Sequence, residues 1–252
     1  MIKLSVIIIS LNEERNIGRC LASLKGLADE ILVLDSFSID KTKEIAESYG
    51  AKVIQKEFEG YVKARRDVES MAENDFIFAI DSDEALSEKL FNSIFELKKN
   101  WKKAGYFIAR KTNYCGTWIS HSGWYPDRKL RLYKRGSGKW TGKYVHEKFI
   151  LFSGQKKGKL KGDLLHYSYY SIQDHWDRTE KYAHLAALEL FEKGNKTSGF
   201  QAYFKTIVRF LRDFIKNLGF LDGNKGFTIC KINAWGTFQK YNKLQELNQN
   251  QS

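Results

Sequence analysis

With 252 residues, the chain is long enough to bury a sizeable core, either as one large domain or as a domain with an appendage. An aromatic content of 14% and a single proline exclude a disordered or low-complexity protein. The net charge of +12 is uneven: residues 1–97 carry −7, residues 98–165 carry +15 and residues 166–252 carry +4. The basic middle segment is typical of a surface that attracts anionic phosphates, a nucleic acid or lipid head groups.

The cysteines and the N-terminal sequence indicate in which cellular compartment the protein is expected. Cys20, Cys115 and Cys230 lie far apart, which predicts neither a disulfide framework nor a zinc site and suits a reducing compartment. The apolar run in MIKLSVIIIS is too short for a signal peptide, and no stretch approaches the roughly 18 apolar residues of a membrane span. We therefore expect a cytoplasmic protein.

The first hundred residues alternate between apolar runs and amphipathic stretches. The runs at 3–9, 30–34, 52–54 and 76–80 predict buried strands, and the stretches after Asn12, at 41–49 and at 61–73 predict helices. We expect Asn12 to cap the first of these helices. The alternation predicts an α/β fold with a mostly parallel, Rossmann-like sheet, flanked by helices and joined by right-handed crossovers.

Acidic side chains stand where three of the predicted strands end. Glu13 follows the first strand, Asp35 ends the second, and Asp81 and Asp83 follow the fourth in the stretch FIFAIDSDE. Ligands of parallel sheets bind beyond the carboxyl ends of the strands, and closely spaced carboxylates suit a hard cation and its phosphates. Neither a G-x-G-x-x-G turn nor a P-loop motif is present, so a metal is the predicted means of holding phosphate.

The pattern changes beyond residue 100. Residues 105–110, 128–134 and 148–152 predict strands, and the chain from Ile172 onward predicts helices. The pattern therefore predicts that the second half adds strands to the sheet and ends in a helical C-terminal extension.

One amphipathic helix is predicted at residues 200–218. Its apolar face comprises Phe200, Tyr203, Phe204, Ile207, Leu211, Phe214 and Leu218, and its basic residues are Lys205, Arg209, Arg212 and Lys216. Such a helix suits either an anionic membrane surface or packing against the rest of the protein with a solvated basic rim.

Four stretches together carry a resemblance to a known family. LSVIIISLNEERNIGRCLASL, LDSFSIDKT, FIFAIDSDE and WTGKYVHEKF resemble the family-2 glycosyltransferases of the GT-A fold, and HYSYYSIQDHW with GFLDGNKGF is similar to the WaaE-type branch that builds lipopolysaccharide inner core. The resemblance implies a catalytic domain at 1–170, with a nucleotide-sugar half at about 1–100 and an acceptor half at about 101–170. Residues 171–252 are then a helical C-terminal extension that associates with the membrane or packs on the core.

The resemblance also implies roles for the strand-end residues. Leu11 and Glu13 would lie beside the nucleotide base or ribose, and Asp35 would hold the base. Asp81 would approach the ribose and the donor sugar, while Asp83 would bind Mg²⁺ or Mn²⁺ on the diphosphate. The chain departs from the family pattern at 9–11, where an aromatic stack on the base is lost, and at 64–66, where a further contact becomes uncertain.

Inverting sugar transfer needs a base for the acceptor hydroxyl and stabilisation of the departing diphosphate. By position in the motif, Glu147 is the predicted base and His146 the next candidate, although a loop Glu is ordinarily only solvated. His166 would complete the metal shell or touch the diphosphate, with a structural histidine as the alternative. The metal would be a Lewis acid on phosphate oxygens.

Basic and aromatic side chains of the middle segment give further candidates. Arg128 and Arg131 suit phosphate on the donor or acceptor, because a guanidinium fork matches phosphate oxygens; the alternative is the solvated face of a sheet. Trp118 and Trp124 suit an acceptor platform or core packing.

The predicted activity is metal-dependent, inverting transfer from a nucleotide-sugar donor to an anionic glycolipid acceptor, most simply lipopolysaccharide inner core, at the inner face of the cytoplasmic membrane. Transfer to a polyprenyl phosphate or to a protein is the alternative within enzymes. A basic nucleic-acid-binding protein is the alternative from another class, but we find no helix-turn-helix, zinc or RNA-recognition signature and expect no nucleic-acid partner.

Overall fold

The computed structural model describes residues 1–142 and 147–250. Its strands are β1 (Leu4–Ser10), β2 (Glu30–Asp35), β3 (Lys52–Gln55), β4 (Phe76–Asp81), β5 (Glu84–Leu86), β6 (Gly105–Tyr114), β7 (Thr117–Trp118), β8 (Asp127–Lys134), β9 (Gly138–Thr141), β10 (Lys148–Leu151) and β11 (Lys157–Tyr169). Its helices are α1 (Ile17–Leu24), α2 (Thr42–Ser48), α3 (Tyr61–Ser70), α4 (Glu88–Lys99), α5 (Ile172–Glu192), α6 (Gly199–Leu211) and α7 (Gly223–Gln249). A π-helical turn, Arg212–Lys216, and a 3-10 turn, Gly219–Asp222, stand between α6 and α7.

The main sheet has the strand order β3-β2-β1-β4-β8-β6-β11-β5. Strands β3, β2, β1 and β4 run parallel, and the antiparallel pairs β4–β8, β8–β6 and β11–β5 extend the sheet. Strands β9 and β10 form a separate antiparallel pair. The predicted α/β class, with a helix-flanked parallel sheet and a helical C-terminal part, is confirmed.

Both faces of the parallel strands are buried, which explains why these strands are continuous apolar runs. On β1, Val6 and Ile8 belong to the core shared with α1 and α4, while Ile7 belongs to the core shared with α3. Charged groups are excluded from the middle of such strands because their desolvation is costly, and they collect where the strands end.

The start of α4 is tied to β11 through one hydroxyl group. Ser87 caps the helix, since its Oγ accepts a hydrogen bond from the Leu90 amide at 3.3 Å. The same Oγ accepts from the Asp163 amide at 3.0 Å. This double contact brings the backbone of β11 very close to the first turn of the helix.

The chain divides into two compact units. The first comprises Met1–Lys111 and Asp127–Tyr167, and the second comprises Thr112–Pro126 and the chain from Ser168 onward. The loop at 112–126 therefore belongs with the C-terminal helices, and this assignment is not evident from the sequence pattern. The catalytic and extension roles given to 1–170 and 171–252 stay predictions. Within the described residues, no helix combines the length and apolarity needed to cross a bilayer.

We predict that Gly162 is required for the close approach of β11 to α4. A Cβ on Gly162, which has φ of +91°, would lie 2.3 Å from the Leu90 backbone nitrogen. Gly162→Ala should therefore lower the unfolding free energy by about 1–3 kcal/mol for overpacking, in addition to about 1–2 kcal/mol for the left-handed backbone.

Gly154→Ala is the matched control, because Gly154 has φ of +80° and open space around its Cβ position. Chemical denaturation of both variants should separate packing from backbone strain. Equal losses of stability in the two variants would contradict the predicted packing role of Gly162.

Candidate active site

The register of the parallel strands brings the predicted strand-end acids to one edge of the sheet. Ser10 of β1 is paired with Asp35 of β2, and Ile9 of β1 is paired with Asp81 of β4. Since neighbouring strands lie about 4.8 Å apart, Asp35 and Asp81 end strands separated by about 10 Å. The expected grouping of acids at the carboxyl edge is present in the fold.

Asp35 is fully buried and already hydrogen-bonded within the protein. One carboxylate oxygen accepts from the Ser38 amide at 2.9 Å and from Gln55 Nε2 at 3.3 Å, and the other accepts from Ser10 Oγ at 3.4 Å. These bonds hold the loop after β2 against the end of β1. A role in binding the nucleotide base stays a prediction for Asp35.

The loop after β1 differs from expectation in its capping. Asn12 has a φ of 55° and accepts a hydrogen bond from the Ile39 amide at 3.0 Å through Oδ1. The helix α1 begins only at Ile17, with Asn16 at the capping position. The prediction that Asn12 caps the first helix is therefore wrong: its side chain instead links the loops after β1 and β2.

Leu11 and Glu13 lie on either side of Asn12 in this loop. Leu11 is 51% exposed, so its side chain is accessible to a ligand. Glu13 is partly buried, its amide donates to Thr42 Oγ1 at 2.7 Å, and its Oε2 accepts from Asn16 Nδ2 at 2.8 Å. The proposed contacts of both residues with a nucleotide stay predictions.

Asp81 is held between two buried arginines. Its Oδ1 contacts Arg65 Nη2, and its Oδ2 lies 2.5 Å from Arg131 Nη2. Its backbone amide donates to Glu84 Oε2 at 3.0 Å. Arg65, Arg131 and Glu84 are each 5% exposed or less, so the partly exposed Asp81 rests on two buried cations and one buried carboxylate.

The charges of this cluster change the pKa of Arg65. Burial, together with repulsion from Arg131, lowers the pKa of the Arg65 guanidinium to about 10, and the carboxylates of Glu147 and Glu84 act in the opposite direction. Arg110 adds a third cation, 3.6 Å from Glu84 and 2.7 Å from Asp127. Buried charges of this kind are tolerated only when they are paired.

Asp83 and His166 form a second, adjacent pair. His166 Nε2 lies 3.1 Å from Asp83 Oδ2, and the Tyr167 amide donates to the Asp83 carbonyl at 2.8 Å. The antiparallel register of β5 and β11 sets His166 opposite Glu84. Among residues 1–142 and 147–250, no three His, Cys, Asp or Glu side chains are gathered as a metal-binding group.

The fully buried Cys20 lies near several of these acids, and they affect its pKa. Burial raises the pKa of its thiol well above the ordinary value, and the carboxylates of Glu84, Asp83 and Glu13 raise it further. The Cys20 Sγ also lies 3.6 Å from the Asp81 carbonyl oxygen. Acids from two separate segments, the loop after β1 and the stretch that joins β4 to β5, therefore lie near the same buried thiol.

A cavity of about 130 Å³ opens beside Asp81. It is lined by Asp81, Arg110, Lys129, Leu130, Arg131, Trp140, Glu147, Lys148 and Phe149. Three of the predicted site residues, Asp81, Arg131 and Glu147, thus share one cavity. His146, the second predicted base, lies outside the described residues.

The remaining sequence candidates lie away from the cavity lining. Arg128 is exposed on β8, one residue from the inward-facing Lys129. Trp124 stacks on Tyr169 with ring centroids 5.3 Å apart, in an aromatic cluster of the second unit. Trp118 is partly buried on β7. For Trp124 core packing is the observed arrangement.

Three residues of the charge cluster were given no role from the sequence, although Glu84 belongs to the acidic stretch FIFAIDSDE. Arg65 lies on the buried face of α3 with Ala64 and Val68. The helical spacing of these three residues is the sequence feature that could have indicated its burial. Glu84 starts the short strand β5, and Arg110 follows an apolar stretch of β6. A charged residue at such positions is ordinarily read as solvent-facing, so sequence pattern alone does not reveal the pairing.

Comparison with known proteins identifies the family. The model described as "Glycosyl transferase family 2" matches residues 5–158, which include Asp81, Asp83, Arg131 and Glu147. An uncharacterized glycosyltransferase of Rickettsia typhi is 33% identical over 98% of this chain and 88% of its own length. The lipopolysaccharide core biosynthesis glycosyltransferase LpsC of Rhizobium meliloti is 27% identical over 94% of this chain and 93% of its own length.

A solved structure was matched over part of the chain. Glucosyl-3-phosphoglycerate synthase from Mycobacterium tuberculosis, in complex with Mn²⁺, UDP and glucosyl-3-phosphoglycerate, is 29% identical with a TM-score of 0.36. The match covers 46% of this chain and 45% of that protein, so this chain spans about half the length of that solved protein. From the family model and the near full-length relatives, the chain belongs to glycosyl transferase family 2 and is a glycosyltransferase.

Proposed function

We propose that the protein is an inverting, metal-dependent glycosyltransferase that transfers a sugar from a nucleotide-sugar donor to a glycolipid of the lipopolysaccharide inner core. The observation that carries the proposal is that Asp81, Arg131 and Glu147 line the same cavity. Asp81 of this set lies two residues before Asp83 in the chain. The name of the Rhizobium meliloti relative, which aligns over almost the whole chain, supports the choice of acceptor.

Asp83 and His166 are the residues we propose for holding Mg²⁺ or Mn²⁺. The donor set fits, because such sites use one or two carboxylates and leave the other positions to water and substrate phosphates, and Mn²⁺ also accepts imidazole. The 3.1 Å separation of His166 Nε2 and Asp83 Oδ2 brings the two ligand atoms together. When bound, the metal supplies Lewis-acid stabilisation of the diphosphate leaving group.

The donor would lie along the carboxyl edge of the parallel strands. Leu11 and Glu13 are proposed beside the base or ribose and Asp35 at the base, on the side of the sheet edge away from the cavity. Asp81 would accept hydrogen bonds from the ribose and donor sugar, oriented by its two arginines. Arg131 Nε–H has no hydrogen-bond partner within the described residues, which leaves one buried donor for a ligand oxygen.

Glu147 is the proposed base. Its carboxylate would take the proton of the acceptor hydroxyl as that oxygen forms a bond to the anomeric carbon. The bond from the anomeric carbon to the diphosphate oxygen breaks in the same displacement, and the electron pair leaves with the diphosphate. A carboxylate in this role contributes about 10²–10⁴-fold to rate.

The basic wall of the cavity favours an anionic acceptor. Arg110, Lys129 and Lys148 line the cavity, and the acids of its lining are Asp81 and Glu147. Asp127 also lies 2.7 Å from Arg110 and 3.2 Å from Lys129. Phosphorylated or carboxylated glycolipids carry the complementary charge. A polyprenyl phosphate shares this chemistry and is the alternative acceptor.

Removal of the metal tests the proposed role of Asp83. We expect chelation by EDTA to abolish transfer, and Asp83→Asn to lower kcat by about 10³-fold, the loss typical of removing electrostatic stabilisation of a leaving group. Asp83→Asn should also remove the Mn²⁺-dependent increase in melting temperature that a bound nucleotide sugar produces.

The matched control is Glu96→Gln, at a carboxylate that is 67% exposed and pairs only with Lys99 in the described contacts. It should retain both the metal-dependent thermal shift and the transfer rate. Full transfer activity in the presence of EDTA would contradict the metal role.

Substitution of Glu147 tests the base. Glu147→Gln should lower kcat about 10²–10⁴-fold while leaving the Mn²⁺-dependent binding of the donor intact, since the lost group acts on the acceptor proton. Steady-state kinetics with donor titration in a thermal-shift assay would separate the two effects. Unchanged kcat in Glu147→Gln, together with loss of activity in His146→Gln, would assign the base to His146 instead.

A further inference from the structure

The second unit carries a cluster of large apolar side chains that face solvent on α6 and the π-helical turn. We call the α6 face the set Phe200, Tyr203, Phe204, Ile207, Leu211 and Ile215. These side chains are between 46% and 80% exposed. A contiguous exposed patch of this composition ordinarily marks a surface that binds a partner or a membrane.

The opposite side of the same helix is the side that packs. Ala202 is 2% exposed and Asp213 is 1% exposed, so the inward face points at the rest of the second unit. Phe214, expected on the apolar face, packs inward instead, with ring centroids 6.1 Å from Phe220 and 5.9 Å from Phe227. The α6 face therefore stays exposed to solvent although the other side of the helix packs within the second unit.

Basic side chains border the α6 face. At 100° per residue, Lys205 of α6 lies on one flank of the exposed apolar residues, with Arg209 farther round, and Arg212 and Lys216 are exposed basic residues of the π-helical turn that follows. Arg209 and Arg212 share the single carboxylate of Asp213, at 2.5 and 3.0 Å. The segment 199–221 has four basic residues and one acidic residue, which leaves a net charge of +3.

We propose that the α6 face docks on the surface of an anionic lipid bilayer, with α6 lying in the plane of the interface. An exposed helix face of aromatic and aliphatic residues bordered by lysine and arginine matches this occupant in both hydrophobicity and charge. A second copy of the same face would bring +3 against +3, so charge complementarity favours lipid over self-association. The proposal deepens the proposed function and rests on it, because a glycolipid acceptor is itself part of a membrane.

Vesicle co-sedimentation of the full chain tests the proposal without donor or acceptor. We expect binding to phosphatidylcholine vesicles that contain ~30% phosphatidylglycerol, and weaker binding to phosphatidylcholine alone. Ile207→Gln/Ile215→Gln, at two positions that are each 58% exposed, should weaken binding roughly tenfold or more. Lys205→Gln/Lys216→Gln should lower binding to the anionic vesicles and make the remaining binding less sensitive to salt.

Matched controls come from elsewhere in the second unit. Ile172→Gln/Tyr182→Gln removes two apolar side chains that are 42% and 41% exposed on α5, and Lys196→Gln/Lys231→Gln removes two exposed lysines. Both controls should bind anionic vesicles like the parent protein. Circular dichroism and melting temperature should be unchanged in all variants, because every substituted side chain is exposed.

Two outcomes would overturn the proposal. One is equal vesicle binding by the parent and by Ile207→Gln/Ile215→Gln. The other is concentration-dependent dimerisation of the parent that this variant abolishes, without a change in vesicle binding. Either result would leave the transfer reaction standing, since the proposed catalytic groups would be tested separately by activity on a soluble acceptor fragment.

Discussion

The charge balance at the end of β4 is the constraint on which the candidate site depends. Asp81, whose side chain is 24% exposed, and the buried Glu84 follow an apolar strand, and the buried Arg65 and Arg131 supply the compensating charge. Removing one member of such a buried pair typically costs about 3–5 kcal/mol, because the partner is left charged and desolvated. The sheet edge is therefore fixed in shape before any ligand arrives, and this rigidity suits a site that must position two substrates.

The three acids at the end of β4 and the start of β5 consequently differ in their partners. Asp81 and Glu84 are neutralised by guanidinium groups, whereas Asp83 contacts His166, whose imidazole is a metal ligand when neutral. A D-x-D sequence alone does not distinguish these cases. The alternation of the strand and the pairing of β5 with β11 do, since they turn neighbouring carboxylates toward different partners.

The predictable part of this protein is the part governed by local pattern. Apolar runs flanked by amphipathic helices gave the parallel sheet, and the strand register then grouped Asp35 with Asp81 as expected. The pairing of Arg65 with Asp81 joins residues sixteen apart through the tertiary fold, and no spacing rule encodes it. The same holds for the loop at 112–126, which belongs with helices more than forty residues away in the chain.

The helix α6 shows how packing decides between two interpretations that periodicity leaves open. An amphipathic pattern at 200–218 is compatible with a face turned inward or outward. Ala202 and Asp213 are buried and Phe214 packs against Phe220 and Phe227, whereas the side chains of the α6 face are turned to solvent. A globular protein ordinarily buries its larger apolar faces, so the exposed α6 face supports the proposal of an external partner. The cationic side chains of the same segment favour an anionic partner in that proposal.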